Sequence, residues 1–423
     1  MYAETLPYRE RIQELRETLV QSGSLGLLLI DASELAQVEH DYGSKAFEKV
    51  LSMATELVLE LRGIEIRTND LVTISDKGGS AFPVFLSPKR TDREGKTRIS
   101  DFQAAASRVE EHLNRKLARL TSPYLRGRHQ VTVGFAFVFF NPLIMPERLI
   151  SRLVEEAWEC VRIQTMQRAF QNRCRLQEIL MAEEITTRFQ PVVDLQRGGV
   201  LGYEALSRGP AGTANQNPLN LFEVAAQADL VFELDRHCRR KALQSAKELP
   251  PLAKLFLNVF PASMYDPDFQ GGNLIRMLDG LGLGPDRIVL EISEKYAIEN
   301  YTLFVESLHN FTDMGFSIAV DDIGAGHSGL EKIAHLNPRY LKLDMQLVKD
   351  IDVSFIRREM TRAVKAFATK TDAAVIAEGI EREGELEVVK EMGIEYGQGY
   401  LLGRPADTFQ ATTLARVGGD ETK

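Results

Sequence analysis

Eight short apolar runs recur between residues 189 and 403, each carrying a polar residue near its end. They are FQPVVDL (189–195), VLGYEAL (200–206), LFLNVFP (255–261), IVLEISE (288–294), SIAVDDIG (317–324), YLKLD (340–344), AAVIAEGIE (373–381) and YGQGYLLG (396–403). Between most of them lie segments with helical spacing, such as residues 221–249. Strands alternating with helices indicate a parallel sheet, and eight of them predict a (β/α)8 barrel. One connection breaks the pattern. Only Gln196–Gly199 separate the first two runs, too few for a crossover helix, so this pair is expected to be an antiparallel hairpin. Centring the hairpin on QRGG places Gln190 opposite Ala205 and brings the start of the first strand to the rim where the second one ends.

A chain of 423 residues is too long for one ordinary core, so two domains are expected. The smaller, N-terminal one reads as an α+β fold. SLGLLLIDASEL (24–35) is a strand running into a loop, and residues 46–61 put Phe47, Val50, Leu51, Ala54, Leu57, Val58 and Leu61 on one helical face. Residues 69–86 read as a hairpin turning at Asp76–Gly79, charged residues 87–98 as a loop, and VTVGFAFVFF (131–140) as a further strand. Between Pro146 and Pro191 there is neither glycine nor proline, so one long helix is expected to join the domains. Its Leu149, Leu153, Ala157 and Val161 form a stripe expected to support self-association.

Composition excludes several classes. No run reaches the ~18 apolar residues of a membrane span, and the N-terminus lacks an apolar export signal. A net charge of −9 argues against DNA binding. Cys160, Cys174 and Cys238 have no metal-like spacing and fit a reducing cytoplasm.

The strand ends carry Glu204, Asn258, Glu291, Asp321 with Asp322, Lys342, Glu378 and Gln398. In a barrel these converge on one rim, the usual seat of an active site. A lone strand-end carboxylate is usually a helix cap or a surface charge. Several in phase would repel intolerably without cations. Oxygen ligands without histidine or cysteine select Mg²⁺ or Mn²⁺, and adjacent aspartates can serve two metals, which suits displacement at phosphorus. Lys342 supplies a cation near the developing charge, and Arg208 a planar fork for phosphate. An enolase-type site also places carboxylates, a metal and a lysine on a barrel rim; adjacent aspartates and Asn258 fit it less well.

EALSR (204–208), LNVFP (257–261), EISE (291–294), DDIGAGHSG (321–329), LKLD (341–344), AEGIE (377–381) and GQGYLLGRP (397–405) resemble the successive signatures of EAL domains, cyclic di-GMP phosphodiesterases. The resemblance implies a modified TIM (β/α)8 barrel with an antiparallel first strand, two Mg²⁺ or Mn²⁺ ions per site and hydrolysis of cyclic di-GMP to linear pGpG. It implies that Glu204, Asn258, Glu291 and Asp321 hold one metal, and that Asp321 and Asp322 reach the second with Glu378 as ligand or base. It further implies that Lys342 and Gln398 position water, and that Gln190, Leu206, Arg208, Asp322, Gln398 and Pro405 face the substrate. Glu294 would steady the loop hinged at Gly324 and Gly326. That loop departs from the family's DDFGTGYSS at Ile323, Ala325, His327 and Gly329; His327 reads as a loop-packing residue. A catalytically silent cyclic di-GMP receptor is the alternative implied by the same family, and a missing ligand would have favoured it.

Residues 22–170 resemble a GGDEF domain, the fold of diguanylate cyclases: Asp31 falls in its first metal position and DYG (41–43) also fits. The signature turn here reads GGSAF (78–82), with Ser80 and Ala81 in place of two acidic residues, and Glu39 replaces an asparagine. A degenerate, non-cyclase regulatory domain is therefore expected, open to GTP or a protein partner. RTND (67–70) resembles an inhibitory product site but sits out of register, and a surface salt bridge is the expected reading. The expected division is an N-terminal helix at 1–21, a GGDEF-like domain at 22–170, the EAL barrel at 171–415 and a tail at 416–423, in a cytoplasmic homodimer.

Overall fold

The computed structural model describes residues 5–75, 79–86, 99–121, 130–294, 301–324 and 330–412. The chain divides into two compact units, Met1–Arg173 and Cys174–Lys423. Among the described residues no helix is long and apolar enough to cross a membrane.

The first unit is built on a four-stranded antiparallel sheet. Its strands are β1 (Ser24–Asp31), β2 (Leu71–Val72), β3 (Ala81–Leu86) and β4 (Thr132–Phe139), in the order β2-β3-β1-β4. Side chains of a strand alternate between faces, and both faces of β1 are covered, so its buried stretch Leu25–Ile30 carries no polar side chain. Leu28 and Ile30 join α2 (Ala36–Tyr42), α3 (Ser44–Glu60) and α4 (Ile99–Thr121) through Val38, Val50, Ala54, Val58, Val109 and Leu113. Leu25, Leu27 and Leu29 meet Leu15 and Leu19 of α1 (Ile12–Ser22) and Leu149, Leu153, Ala157 and Val161 of α5 (Pro146–Met181).

That last contact corrects an expectation. The stripe at 149–161 is buried in its own unit and is not free for self-association. Each fully buried Leu or Val is worth about 1.5–3 kcal/mol, and the sheet face claims all of that burial. In the RTND segment Asp70 is buried and accepts from the backbone N–H of Arg67 at 2.7 Å, closing a local turn. Strands β2 and β3 pair as the predicted hairpin, Leu71 with Phe85; Asp76–Gly78 of its turn and the charged segment 87–98 lie outside the described residues.

The second unit is a closed barrel. Its strands are β5 (Thr186–Asp194), β6 (Val200–Arg208), β7 (Lys254–Asn258), β8 (Ile288–Ser293), β9 (Ser317–Ile323), β10 (Tyr340–Leu343), β11 (Ala374–Ala377) and β12 (Tyr396–Gly397). β5 runs antiparallel to both β6 and β12, and every other neighbouring pair is parallel. The predicted hairpin exists, but its register differs by one. Gln190 stands opposite Glu204, and Phe189 opposite Ala205. A shift between Val192 and Val193 absorbs an extra residue on β6, which a symmetrical hairpin centred on QRGG does not contain. The final run, read as 396–403, contributes only two residues of strand, and residues 399–402 turn instead.

Candidate active site

The site follows from the period of two along each strand. Val192, Phe256, Val289, Ala319, Tyr340 and Ile376 form one buried cluster, the apolar filling of the barrel. Two residues further toward the rim on the same strands, or just past their ends, stand Gln190 (β5 being reversed), Asn258, Glu291, Asp321, Lys342 and Glu378. Glu204, paired with Gln190 in register, completes the layer on β6. Hydrophobic packing below fixes a ring of polar groups above.

Lys342 is fully buried at the centre of that ring. Its Nζ lies 2.6 Å from Glu378 Oε1, 2.8 Å from Glu291 Oε1, and 3.4 Å from both Glu204 Oε2 and Asp321 Oδ1. Burial alone would lower the Lys342 pKa; the charges of Asp321, Glu204, Glu291 and Glu378 outweigh it and raise the pKa well above the ordinary value. The carboxylates divide. Burial raises Glu204, but Lys342 and hydrogen bonds from Gln398 and Asn258 bring its pKa below the ordinary value. Burial, and then the charge of Glu204, push Glu291 well above it. Burial and the charge of Asp321 do the same for Glu378, and burial foremost raises Asp321.

Asp321 and Asp322 are neighbours on a strand, where side chains should point to opposite faces. Two features break the alternation. Between β10 and β9, Leu341 pairs with Val320 but Leu343 with Ile323, so three steps on β9 face two on β10, a bulge of the kind that re-aims side chains beside active sites. Asp322 also takes the left-handed conformation, φ +61°, which aspartate tolerates better than most residues. Ligand oxygens of Asp321, Asp322 and Glu378 consequently all lie within 4.8 Å of one another.

Amides surround Glu204. Asn258 Nδ2 donates to its Oε1 at 2.9 Å, and Gln398 Nε2 to its Oε2 at 2.6 Å. Gln398 also donates to Gln190 Oε1 at 3.1 Å, and Gln190 Nε2 to the Gly403 carbonyl at 3.0 Å. This chain of amides crosses the barrel seam. Glu294, buried, accepts from the Gly324 N–H at 3.3 Å. Arg208 is half-buried with its Nη1 on the carbonyl of Ser207 at 2.8 Å, and burial lowers its pKa. Leu206 and Pro405 are half-buried; Gly326 and His327 lie outside the described residues. Sequence reading passed over the Gly403 carbonyl, which no side-chain pattern marks.

Divalent cations fit this donor set. Four carboxylates, Glu204 and Glu291 buried and Asp321 and Glu378 half-buried, face the buried ammonium of Lys342, and uncompensated buried charge is strongly unfavourable. Close as the ion pairs are, Lys342 Nζ and both Glu291 oxygens are buried without a hydrogen-bond partner among the described residues. All the candidate ligands are hard oxygens, the set that Mg²⁺ and Mn²⁺ take.

Known proteins share this arrangement of chain. Residues 173–405 match the family model described as EAL domain. A cyclic di-GMP phosphodiesterase of Pseudomonas aeruginosa is 28% identical over 249 residues, 57% of this chain and 42% of that protein. An uncharacterized protein of Sinorhizobium fredii is 24% identical over 425 residues, 96% of this chain and 49% of its own length. The chain thus spans less than half the length of either relative. Among solved structures, the Xanthomonas citri FimX EAL domain in complex with c-diGMP superposes with a TM-score of 0.53 at 21% identity, covering 59% of this chain and 99% of that one. The PaMucR phosphodiesterase in its c-di-GMP complex gives 0.51 at 23%, covering 56% and 97%. At those identities the structures speak for the fold. With more than half of its residues matched by the family model, the chain belongs to the EAL domain family.

Proposed function

We propose that the chain hydrolyses cyclic di-GMP to linear pGpG at the mouth of the barrel. The observation that carries this reading is the convergence of Asp321, Asp322 and Glu378 within 4.8 Å, beside Glu204, Asn258 and Glu291. Glu204, Asn258, Glu291 and Asp321 would hold one ion, Asp321 and Asp322 the second, with Glu378 adjoining. Bound Mg²⁺ or Mn²⁺ supplies Lewis acidity for an in-line displacement at phosphorus. The water oxygen bonds to phosphorus, the P–O3′ bond breaks and O3′ takes up a proton. Glu378 is placed to accept the proton of the water, Lys342 to offset developing charge, and Arg208 to bind phosphate. Gln398, itself held by Gln190, and Asn258 fix the Glu204 carboxylate, with Gln190, Leu206 and Pro405 lining the substrate side.

The test is purified chain with cyclic di-GMP and Mg²⁺ or Mn²⁺, products separated by chromatography. Formation of pGpG, abolished by EDTA, is the expected result. Tight binding without product would favour the second reading, a silent receptor, to which the likeness to the FimX EAL domain in complex with c-diGMP lends support.

The first unit reads as a degenerate GGDEF-like domain that regulates without making product. Asp31 ends β1 directly opposite Ala81, so no carboxylate stands across from it, and its Oδ1 accepts from the Ser33 N–H at 3.0 Å. A homodimer is part of the same proposal. Val353, Phe355 and Ile356 are 70–79% exposed together on the second unit, an apolar patch that suits a second copy. A cytoplasmic setting agrees with three cysteines that form no disulfide.

A further inference from the structure

Between Asp322 and Glu378 lies a short helical turn, Met345–Val348, directly after the strand that carries Lys342. Asp344 caps it, its Oδ1 accepting from the Gln346 N–H at 2.7 Å. The strand end ties it to both neighbours: the Asp344 N–H donates to the Ile323 carbonyl at 3.1 Å, and the Glu378 N–H to the Leu343 carbonyl at 3.2 Å. The turn then touches a glycine on each side. A Cβ on Gly324 would come within 2.3 Å of Leu347 Cδ1, and one on Gly379 within 2.5 Å of Met345 Cβ. Both glycines have positive φ, +97° and +69°, and each follows a site carboxylate closely in sequence, Asp322 or Glu378.

The far end of the turn is clamped as well. Glu385, buried, accepts from the N–H groups of Asp350 at 2.9 Å, Glu381 at 3.0 Å and Arg382 at 3.1 Å. Arg382 in turn binds Asp352 at 2.6 Å. The turn is thus held at both ends and in direct contact with the backbone beside both carboxylate groups.

We propose that this turn is a wedge that sets the spacing between the Asp321–Asp322 pair and Glu378, with Leu347 and Met345 as its positioning residues. Neither touches the reacting atoms. The proposal rests on the reading that these carboxylates hold divalent cations. It deepens that reading by assigning their separation to two apolar side chains.

The experiment measures Mn²⁺ binding to the full chain by calorimetry without substrate, alongside kcat, KM and Tm. Leu347→Ala is expected to weaken Mn²⁺ binding by about tenfold or more, the usual effect of losing support behind a ligand. Its kcat should fall, with KM for cyclic di-GMP changed less than about twofold, and Leu347→Met should restore both. Leu278→Ala, a truncation in a helix that carries none of the site residues, should lower Tm while keeping Mn²⁺ affinity. Met345 is half-exposed, so a second pair spares the core: Met345→Gly should weaken Mn²⁺ binding, whereas Met345→Ala, which keeps the Cβ, should not. Wild-type Mn²⁺ affinity in both Leu347→Ala and Met345→Gly would overturn the wedge. A wild-type chain that binds Mn²⁺ but releases no pGpG overturns the hydrolase reading alone, because the affinity ratios still decide the wedge.

Discussion

The backbone N–H of Asp322 donates to Oδ1 of Asp321 at 2.9 Å, while Asp322 itself sits at φ +61°. The two acids form one unit, the conformation of the second fixing the carboxylate of the first. Asparagine occupies this backbone region as readily as aspartate, whereas alanine pays roughly 1–2 kcal/mol there. Asp322→Asn should therefore unfold within a degree or two of wild type, and Asp322→Ala several degrees lower by scanning calorimetry. On the function proposed above, both should lose hydrolysis by about a hundredfold or more, since each would remove a charged metal ligand.

Among the described residues, Lys342 is the one ammonium in contact with Glu204, Glu291, Asp321 and Glu378. Removing one partner of a buried ion cluster costs about 3–5 kcal/mol, so Lys342→Met should be markedly less stable in EDTA. Added Mn²⁺ replaces the missing positive charge, and its stabilisation should exceed that of wild type. Melting curves with and without Mn²⁺ give the comparison; equal Mn²⁺ shifts in the two proteins would contradict the assignment of these carboxylates.

Calcium should occupy the site but support little turnover. It takes longer bonds and looser geometry than Mg²⁺, which misplaces the attacking water. Saturating Ca²⁺ should inhibit the Mg²⁺ reaction competitively, and equal rates with the two ions would refute this account.

Glu385 supplies an acid-sensitive contribution to stability. Burial alone would raise its pKa, but the N–H groups of Asp350, Glu381 and Arg382 and the Arg382 guanidinium bring it below the ordinary glutamate value. A depressed folded-state pKa gives stability that is complete above the unfolded value, near about pH 4.3, and is lost as pH falls through the folded one. Hydrogen bonds to a charged group are worth about 1.5–3 kcal/mol, so Glu385→Gln should lose about that much at pH 7. The gap between the two proteins should narrow below about pH 4. Urea titrations across that range would show it, and a gap independent of pH would rule out the charged form as the source.

Much of the site was legible because the strand ends are in phase. Glu204, Asn258, Glu291, Asp321, Lys342 and Glu378 were each found by reading one polar residue per apolar run, and the structure brings all of them together. The Asp321–Asp322 pair was visible as an anomaly, but the bulge that lets both face inward depends on pairing with β10, which no local pattern encodes. The Gln190 register was missed by one for the same reason, a bulge in its partner. The stripe at 149–161 has true helical spacing, yet spacing does not say which surface covers it. α4 was passed over although Ala106, Val109, Leu113 and Leu117 repeat at three or four residues and are buried. Glu385 gave little signal because its capping box opens on Arg382, where serine, threonine or aspartate is the usual mark.

The reversed direction of β5 decides where the chain is held. Thr186 stands opposite Arg208, and four residues on Gln190 stands opposite Glu204. Just upstream, Leu176, Ile179, Leu180 and Ile185 are packed with Leu221, Ala225, Leu234 and Cys238, a firm grip close to the mouth. A twist applied to the backbone there is delivered at the lip that carries Arg208, with no strand to cross. Had β5 run parallel, the same torque would arrive at the floor of the barrel, about 30 Å of strand away. In this topology the handle and the mouth are one stretch of polypeptide.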